Sequence, residues 1–163
     1  MSPSRRPPSQ ESLAALARDL INGAMPLPNI LTSGQPTAAA LQRLAAGGCR
    51  IVVDLRHADE PREFDEPAEV ARLDMTYVSI PVSYDGLGAA EFDQLREVLS
   101  TAANGPVLVH CASANRVGAL LFPYLVLDEG QERDEAFDLA CAIGLRHPGI
   151  AEAAHQYIDE RTR

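Results

Sequence analysis

A chain of 163 residues is the size of one domain, in which a single core can remove about two-thirds of the unfolded surface from water. Lys plus Arg number 14 against 23 Asp plus Glu, and the resulting charge of −9 argues against a broad basic face for nucleic acid or an anionic membrane, so any anion bound here needs a local site. Aromatic residues make up 5% and Trp is absent, which leaves the core to Leu, Val, Ile and Ala. The three cysteines, Cys49, Cys111 and Cys141, match neither a zinc-site spacing nor a disulfide framework and fit a reducing compartment.

The first ten residues, MSPSRRPPSQ, read as a disordered tail ahead of a single domain over residues 11–163. Arg18, Asp19 and Asn22 interrupt the next segment, and no run approaches the roughly eighteen apolar residues of a membrane span, so a soluble, cytoplasmic protein is expected. Ser12 to Ile21 carries Leu13, Leu16, Ala17 and Leu20 at helical spacing, and Gly23, Pro26 and Pro28 end that pattern. Ile30 to Ser33 is a short extended piece, after which Thr37 caps a helix that stops at Gly47-Gly48.

Arg50 to Leu55 is a β-branched run of buried-strand length, and Thr76 to Val82 is a second, separated from it by a helix from Glu66 to Leu73. Glu91 to Ala102 sets Phe92, Leu95, Val98 and Leu99 on one helical face, and Pro106 to His110 is a third buried strand. Arg116 to Leu127, apolar nearly all round, reads as a buried helix kinked at Pro123, and helices near Asp134 to Leu145 and Ile150 to Glu160 complete the chain. This alternation predicts an α/β fold with a mainly parallel central sheet flanked by helices, whose ligands collect beyond the carboxyl ends of the strands.

Cys111 stands at such an end. In PVLVHCASANRVG a buried strand passes through small residues into a helix, so the amides of Ala112, Ser113, Ala114 and Asn115 can converge on an anion. The helix terminus and Arg116, which can bond two oxygens at once, would favour a Cys111 thiolate and an oxyanion together.

His110-Cys111 with a following arginine at a helix mouth resembles the active-site loop of cysteine-dependent protein tyrosine phosphatases. SGQPT at Ser33 to Thr37, VVDLR at Val52 to Arg56, YVSIPV at Tyr77 to Val82 and the HCASANR loop, in that order, resemble the tyrosine-phosphatase-like domain of beta-lactamase-hydrolase-like proteins, over Ile30 to Leu125. The resemblance implies a tyrosine-phosphatase-like architecture. It also implies phosphomonoester hydrolysis through a phosphocysteine at Cys111, with Arg116 and the loop amides holding the phosphoryl oxygens and Asp85 of SYDGLG protonating the leaving group. Neither a metal nor an organic cofactor is required, and the partner is a phosphorylated small molecule or phosphoprotein.

Three departures keep other chemistry open. Four residues separate Cys111 from Arg116 where tyrosine phosphatases have five, which removes one cradle amide and equals the spacing of rhodanese sulfurtransferases. VVDLRHADE also resembles the rhodanese Asp-Val-Arg segment. Val117 stands where phosphatases carry Ser or Thr, so hydrolysis should be weak. Ala114 replaces a frequent Gly, at a cost of about 1–2 kcal/mol if it is left-handed. The alternatives are sulfur transfer through a Cys111 persulfide, from a sulfane-sulfur donor to a thiol acceptor, and a non-catalytic anion-binding module.

For several residues the structural reading is preferred. His110 fixes the loop through a backbone hydrogen bond, Arg56 pairs with Asp59 or Glu60, and Asp59 to Glu66 form a solvated acidic face. Cys49 and Cys141 are packing residues. His57, His147 and His155 lack metal-ligand spacing.

Overall fold

In the computed structural model, which describes residues 8–163, strands β1 (Ala24–Leu27), β2 (Ile30–Ser33), β3 (Ile51–Asp54), β4 (Thr76–Ser79) and β5 (Val107–His110) form one sheet in the order β1-β2-β5-β3-β4. All pairs are parallel except β1 with β2. That antiparallel hairpin, turning at Pro28-Asn29, was not legible in the prolines of AMPLPN. Pro26 is tolerated because β1 lies at the sheet edge, where a missing N–H breaks no ladder on its free side.

Helices α1 (Gln10–Arg18), α2 (Ala38–Ala46) and α3 (Glu66–Arg72) have buried residues in one core cluster, joined there by Leu31, Val52 and Leu108 of the sheet. Helices α4 (Ala89–Leu99), α5 (Asn115–Leu127), α6 (Arg133–Ile143) and α7 (Pro148–Arg161) supply the other, with Ile30, Ile51, Val53, Val107 and Val109. Successive strand residues therefore enter opposite layers, as the twofold period of a strand requires. Ser9 caps α1 by accepting from the Ser12 amide and Thr37 caps α2 by accepting from that of Ala40. Residues 1–7 of the expected tail lie outside the described residues, whereas Ser9 and Gln10 belong to the first helix and its cap.

Helix α5 runs unbroken through Pro123 and is buried from Arg116 to Leu125. Gly118 lets it approach α6 closely, since a Cβ there would stand 2.6 Å from the Ala140 carbonyl oxygen. No helix among the described residues is long and apolar enough to cross a membrane.

The central strand is β5, flanked by β2 and β3, and its register sets Ser33, His110 and Asp54 side by side. All three are fully buried polar residues, one step before the loop that begins at Cys111. Polar side chains are costly in such a position unless each finds a partner.

Candidate active site

The loop from Cys111 into α5 is held by its carbonyls and by its first amide. The Cys111 amide donates to Ser33 O (3.3 Å), the Gln35 amide to Ala112 O (3.1 Å) and the Asn22 side-chain amide to Ser113 O (3.4 Å). The first helical bond runs from the Gly118 amide to Ala114 O at 3.1 Å. With the carbonyls engaged by neighbours, the amides from Ala112 to Arg116 have no protein acceptor among the described residues. A row of free N–H groups at a helix N-terminus is the arrangement that binds anions. Gly34 of the SGQPT segment is what lets β2 come so near, because a Cβ on it would lie 2.7 Å from Ala112 O.

Ala114 is left-handed, with φ 70°, and fully buried. Asn115 also ties the loop down through its side chain. Its side-chain oxygen accepts from the amides of Arg146 (2.8 Å) and His147 (3.2 Å), tying the loop to the α6–α7 connection. Its backbone amide has no protein acceptor among the described residues. Ser113 is half-buried and Ala112 exposed.

Arg116, 4% exposed, has five N–H bonds in a rigid plane. Nη1 donates to Glu60 Oε2 (2.9 Å) and to Val82 O (3.3 Å), and Nη2 donates to Glu60 Oε1 (3.0 Å). Nε is buried without a partner. Three N–H bonds are thus engaged, and the two that remain, on Nε and Nη2, are the parallel pair that bonds two oxygens of one anion. The Tyr84 ring lies over the guanidinium, 5.4 Å from centroid to Cζ. Burial opposes the charge on Arg116, but the Glu60 hydrogen bonds and the charges of Cys111 and Glu60 outweigh it and raise the pKa above its usual value.

Glu60 is the counter-ion that sequence reasoning missed. Besides Arg116 it accepts from Arg56 Nε (3.1 Å) and the His57 amide (2.6 Å), and the Arg116 hydrogen bond, opposed by partial burial, holds its carboxyl down at about 2. Arg56 pairs with Glu60 as expected and also reaches Gln35 Oε1 (2.7 Å) and Pro61 O (2.9 Å). The solvated-face reading of Asp59 to Glu66 is corrected at two positions. Glu60 turns to the arginines, and Glu66 is 1% exposed.

Glu66 lies behind Cys111, where its Oε2 is 2.6 Å from His110 Nε2 and its Oε1 accepts from Gln35 Nε2 at 2.6 Å. His110 Nδ1 is 3.3 Å from the Cys111 carbonyl oxygen, the local contact anticipated for it. Asp54, 3.9 Å from the same ring, accepts from Tyr77 Oη (2.6 Å) and pairs with Arg62 (2.7 Å). Asp54, Glu66 and His110 are grouped closely enough to hold a metal ion, yet the guanidinium of Arg62, also 3.5 Å from Glu66, already supplies positive charge to the two carboxylates.

Asp85 is exposed in the segment between β4 and α4, and no hydrogen bond joins it to any described residue. Its segment nevertheless borders the site, since Val82 and Tyr84 both touch Arg116 and Ser83 Oγ lies 2.9 Å from His57 Nε2. Of the other cysteines, Cys49 is buried, which pushes its thiol up to about 11, and Cys141 is exposed on α6.

A family model described as DSP-PTPase phosphatase fused to NAD+ kinase matches residues 24–154. Two beta-lactamase hydrolase-like proteins of Xylella fastidiosa, from strains Temecula1 and 9a5c, are each 32% identical over 116 residues, which is 69% of this chain and 27% of theirs. The chain therefore spans about a quarter of the length of these curated relatives. Among solved structures, a putative phosphatase (DUF442) from Shewanella putrefaciens CN-32 superposes with a TM-score of 0.75 at 20% identity, over 93% of this chain and 98% of that one. TpbA of P. aeruginosa gives 0.67 at 22% identity, over 98% and 91%. The core catalytic domain of the PP-IP phosphatase SIW14 from S. cerevisiae gives 0.72 at 16%, over 88% and 89%. At these identities the likeness is one of fold, a tyrosine-phosphatase-like α/β architecture.

Proposed function

The chain belongs to the family described as DSP-PTPase phosphatase fused to NAD+ kinase, and from that premise we propose that it is a cysteine-dependent phosphomonoesterase acting as one domain over residues 11–163. The Cys111 thiolate attacks phosphorus, the bond from phosphorus to the ester oxygen breaks, and Asp85 gives that oxygen its proton. The free loop amides and Arg116 hold the three remaining phosphoryl oxygens. Water then attacks the phosphocysteine, the Asp85 carboxylate takes a proton from it, and the S–P bond breaks to release phosphate and the thiolate. The substrate is a phosphorylated small molecule or phosphoprotein.

The observation that carries this reading is the open pair of N–H bonds on Arg116, at the head of the helix whose preceding amides are unclaimed. A paired assay tests it. Turnover of an aryl phosphate with none of thiosulfate supports the proposal, and the reverse result replaces it with sulfur transfer.

The sulfur-transfer reading is kept because Val117, fully buried in the apolar core, offers no hydroxyl to help a thiolate leave phosphorus. If phosphate esters are the substrate, the second step limits the rate, and a burst of aryl alcohol precedes slow turnover. Val117→Thr, which keeps the shape of the side chain, should then raise the steady-state rate several-fold and leave the burst amplitude unchanged in rapid mixing. A persulfide enzyme has no such step to rescue.

Asp85→Asn is expected to slow alkyl phosphates about 100-fold or more while aryl phosphates, whose oxygen departs with little help, lose far less. The slope of log rate against leaving-group acidity is the measurement. A uniform loss would reduce Asp85 to a turn residue.

A further inference from the structure

We propose that His57 is a positioning residue for protonation of the leaving group, because its ring holds Ser83 and, through Ser83, the short segment that carries Asp85. The inference rests on the reading of Asp85 as the proton donor, which it extends to a second side chain.

Asp85 hangs from a segment without main-chain support. From Ser83 to Leu87 no group makes a backbone–backbone hydrogen bond among the described residues, and Ser83 to Gly86 are exposed. A Cβ at Gly86, where φ is 78°, would meet nothing within 4 Å. The segment is held instead at three consecutive residues ahead of Asp85. The Val82 carbonyl accepts from Arg116 Nη1 at 3.3 Å, Ser83 Oγ lies 2.9 Å from His57 Nε2, and the Tyr84 ring lies over the Arg116 guanidinium and 4.9 Å from the His147 ring. The contact between Ser83 and His57 is the hydrogen bond nearest to Asp85 along the chain. Asp85 is three residues past Val82 and two past Ser83, so at about 3.5 Å per extended residue the tether at Ser83 cuts its reach from about 10 Å to about 7 Å. A carboxyl that must hand a proton to one ester oxygen loses much of its effect when it is displaced by about 1 Å.

His57 is itself fixed in place. Its amide donates to Glu60 Oε2 at 2.6 Å, and its carbonyl accepts from Arg62 Nη2 at 3.3 Å. Glu60 in turn grips Arg116 through both oxygens. The contacts close a circuit from Arg116 through Glu60, His57 and Ser83, and back to Arg116 through Val82 and Tyr84. The arginine assigned to the phosphoryl oxygens and the segment that carries the acid thus share one frame. A serine hydroxyl both donates and accepts, so its bond to Nε2 holds with the ring neutral or protonated. The bond is exposed, and changes at exposed positions add little to or take little from folding stability, which leaves placement of the segment as its task.

The test compares His57→Ala and Ser83→Ala by kcat/KM, which reports the first chemical step, on phosphates of graded leaving-group acidity. Each should slow alkyl phosphates about 10-fold and aryl phosphates far less, the pattern of Asp85→Asn at smaller amplitude. Both variants keep the His57 amide on Glu60, so sulfate affinity should stay within about two-fold. Ser83 is exposed, so its variant removes the contact even if loss of the ring disturbs the fold. Combined with Asp85→Asn, either change should cost nothing further, because no proton is left to place. A loss equal across leaving groups, a loss that persists in full beside Asp85→Asn, or no loss at all overturns the positioning role and leaves Asp85 as the acid. If Asp85→Asn itself shows no dependence on the leaving group, the acid assignment falls and this proposal falls with it.

Discussion

Cys111→Ser is expected to lose all measurable turnover, a drop of about 10⁴-fold or more, while keeping the fold and the affinity for phosphate or sulfate within a few-fold. The hydroxyl occupies nearly the same space as the thiol but stays protonated near neutral pH, so the nucleophile goes and little else changes. The loop depends on the Cys111 backbone, through its amide on Ser33 O, and on carbonyls further along, none of which involves sulfur. Steady-state assay with an aryl phosphate, paired with calorimetric titration of sulfate, separates the two effects. Activity that survives the substitution would end the case for covalent catalysis at Cys111. In the unaltered protein, Cys111 should be alkylated at lower pH than Cys49, whose burial pushes its thiol up to about 11.

The parts of the molecule that repeat with a period were legible in the sequence. Arg50 to Leu55 and Pro106 to His110 announce buried strands through β-branched residues, Ile30 to Ser33 is marked only as a short extended piece, and Thr37 announces a cap because its hydroxyl can reach a free helix amide. Ala114, standing where such loops often have Gly, was weighed in the sequence only for the cost of a left-handed conformation, and it is left-handed. The hairpin strand Ala24–Leu27 was hidden because nothing in its pattern marks a buried face. It lies at an edge and is half-buried throughout, with neither alternation nor an apolar run to mark it.

Glu60 and Glu66 were misread for a different physical reason. Neither an acidic residue in a loop, such as Glu60, nor one at the first position of a helix, such as Glu66, carries a local sign of which way it faces, and its orientation is fixed by partners distant in the chain. Glu60 meets Arg116, 56 residues on, and Glu66 meets His110, 44 residues on. A usable signal did exist. Asp54, His110 and Ser33 end three strands beside one another, and such a buried polar row needs compensating groups from the segments that follow β3. Asp85 poses the opposite problem, since the motif names it while the fold brings it no partner.

Arg116→Lys should be the second most damaging change, with kcat/KM lower by about 10³-fold and sulfate binding weaker by about 10-fold or more, although the charge is unaltered. An ammonium has three N–H bonds radiating from one atom. It cannot span both oxygens of Glu60, reach Val82 O, and still present two parallel donors to a phosphoryl group. The competitor remains in place. Glu60 keeps its bonds from Arg56 and the His57 amide and would draw the ammonium toward itself. Acid does not remove that competitor within the working range, because its carboxyl is held at about 2 by Arg116. A depressed native pKa means that the pairing contributes its full stability above the unfolded value of about 4.3 and loses it only as pH falls toward the native one. An acid limb of activity at higher pH must therefore come from a group other than Glu60. If Arg116→Lys instead binds sulfate as tightly as the unaltered protein, the anion does not rest on the guanidinium fork, and the loop amides alone would have to account for its binding.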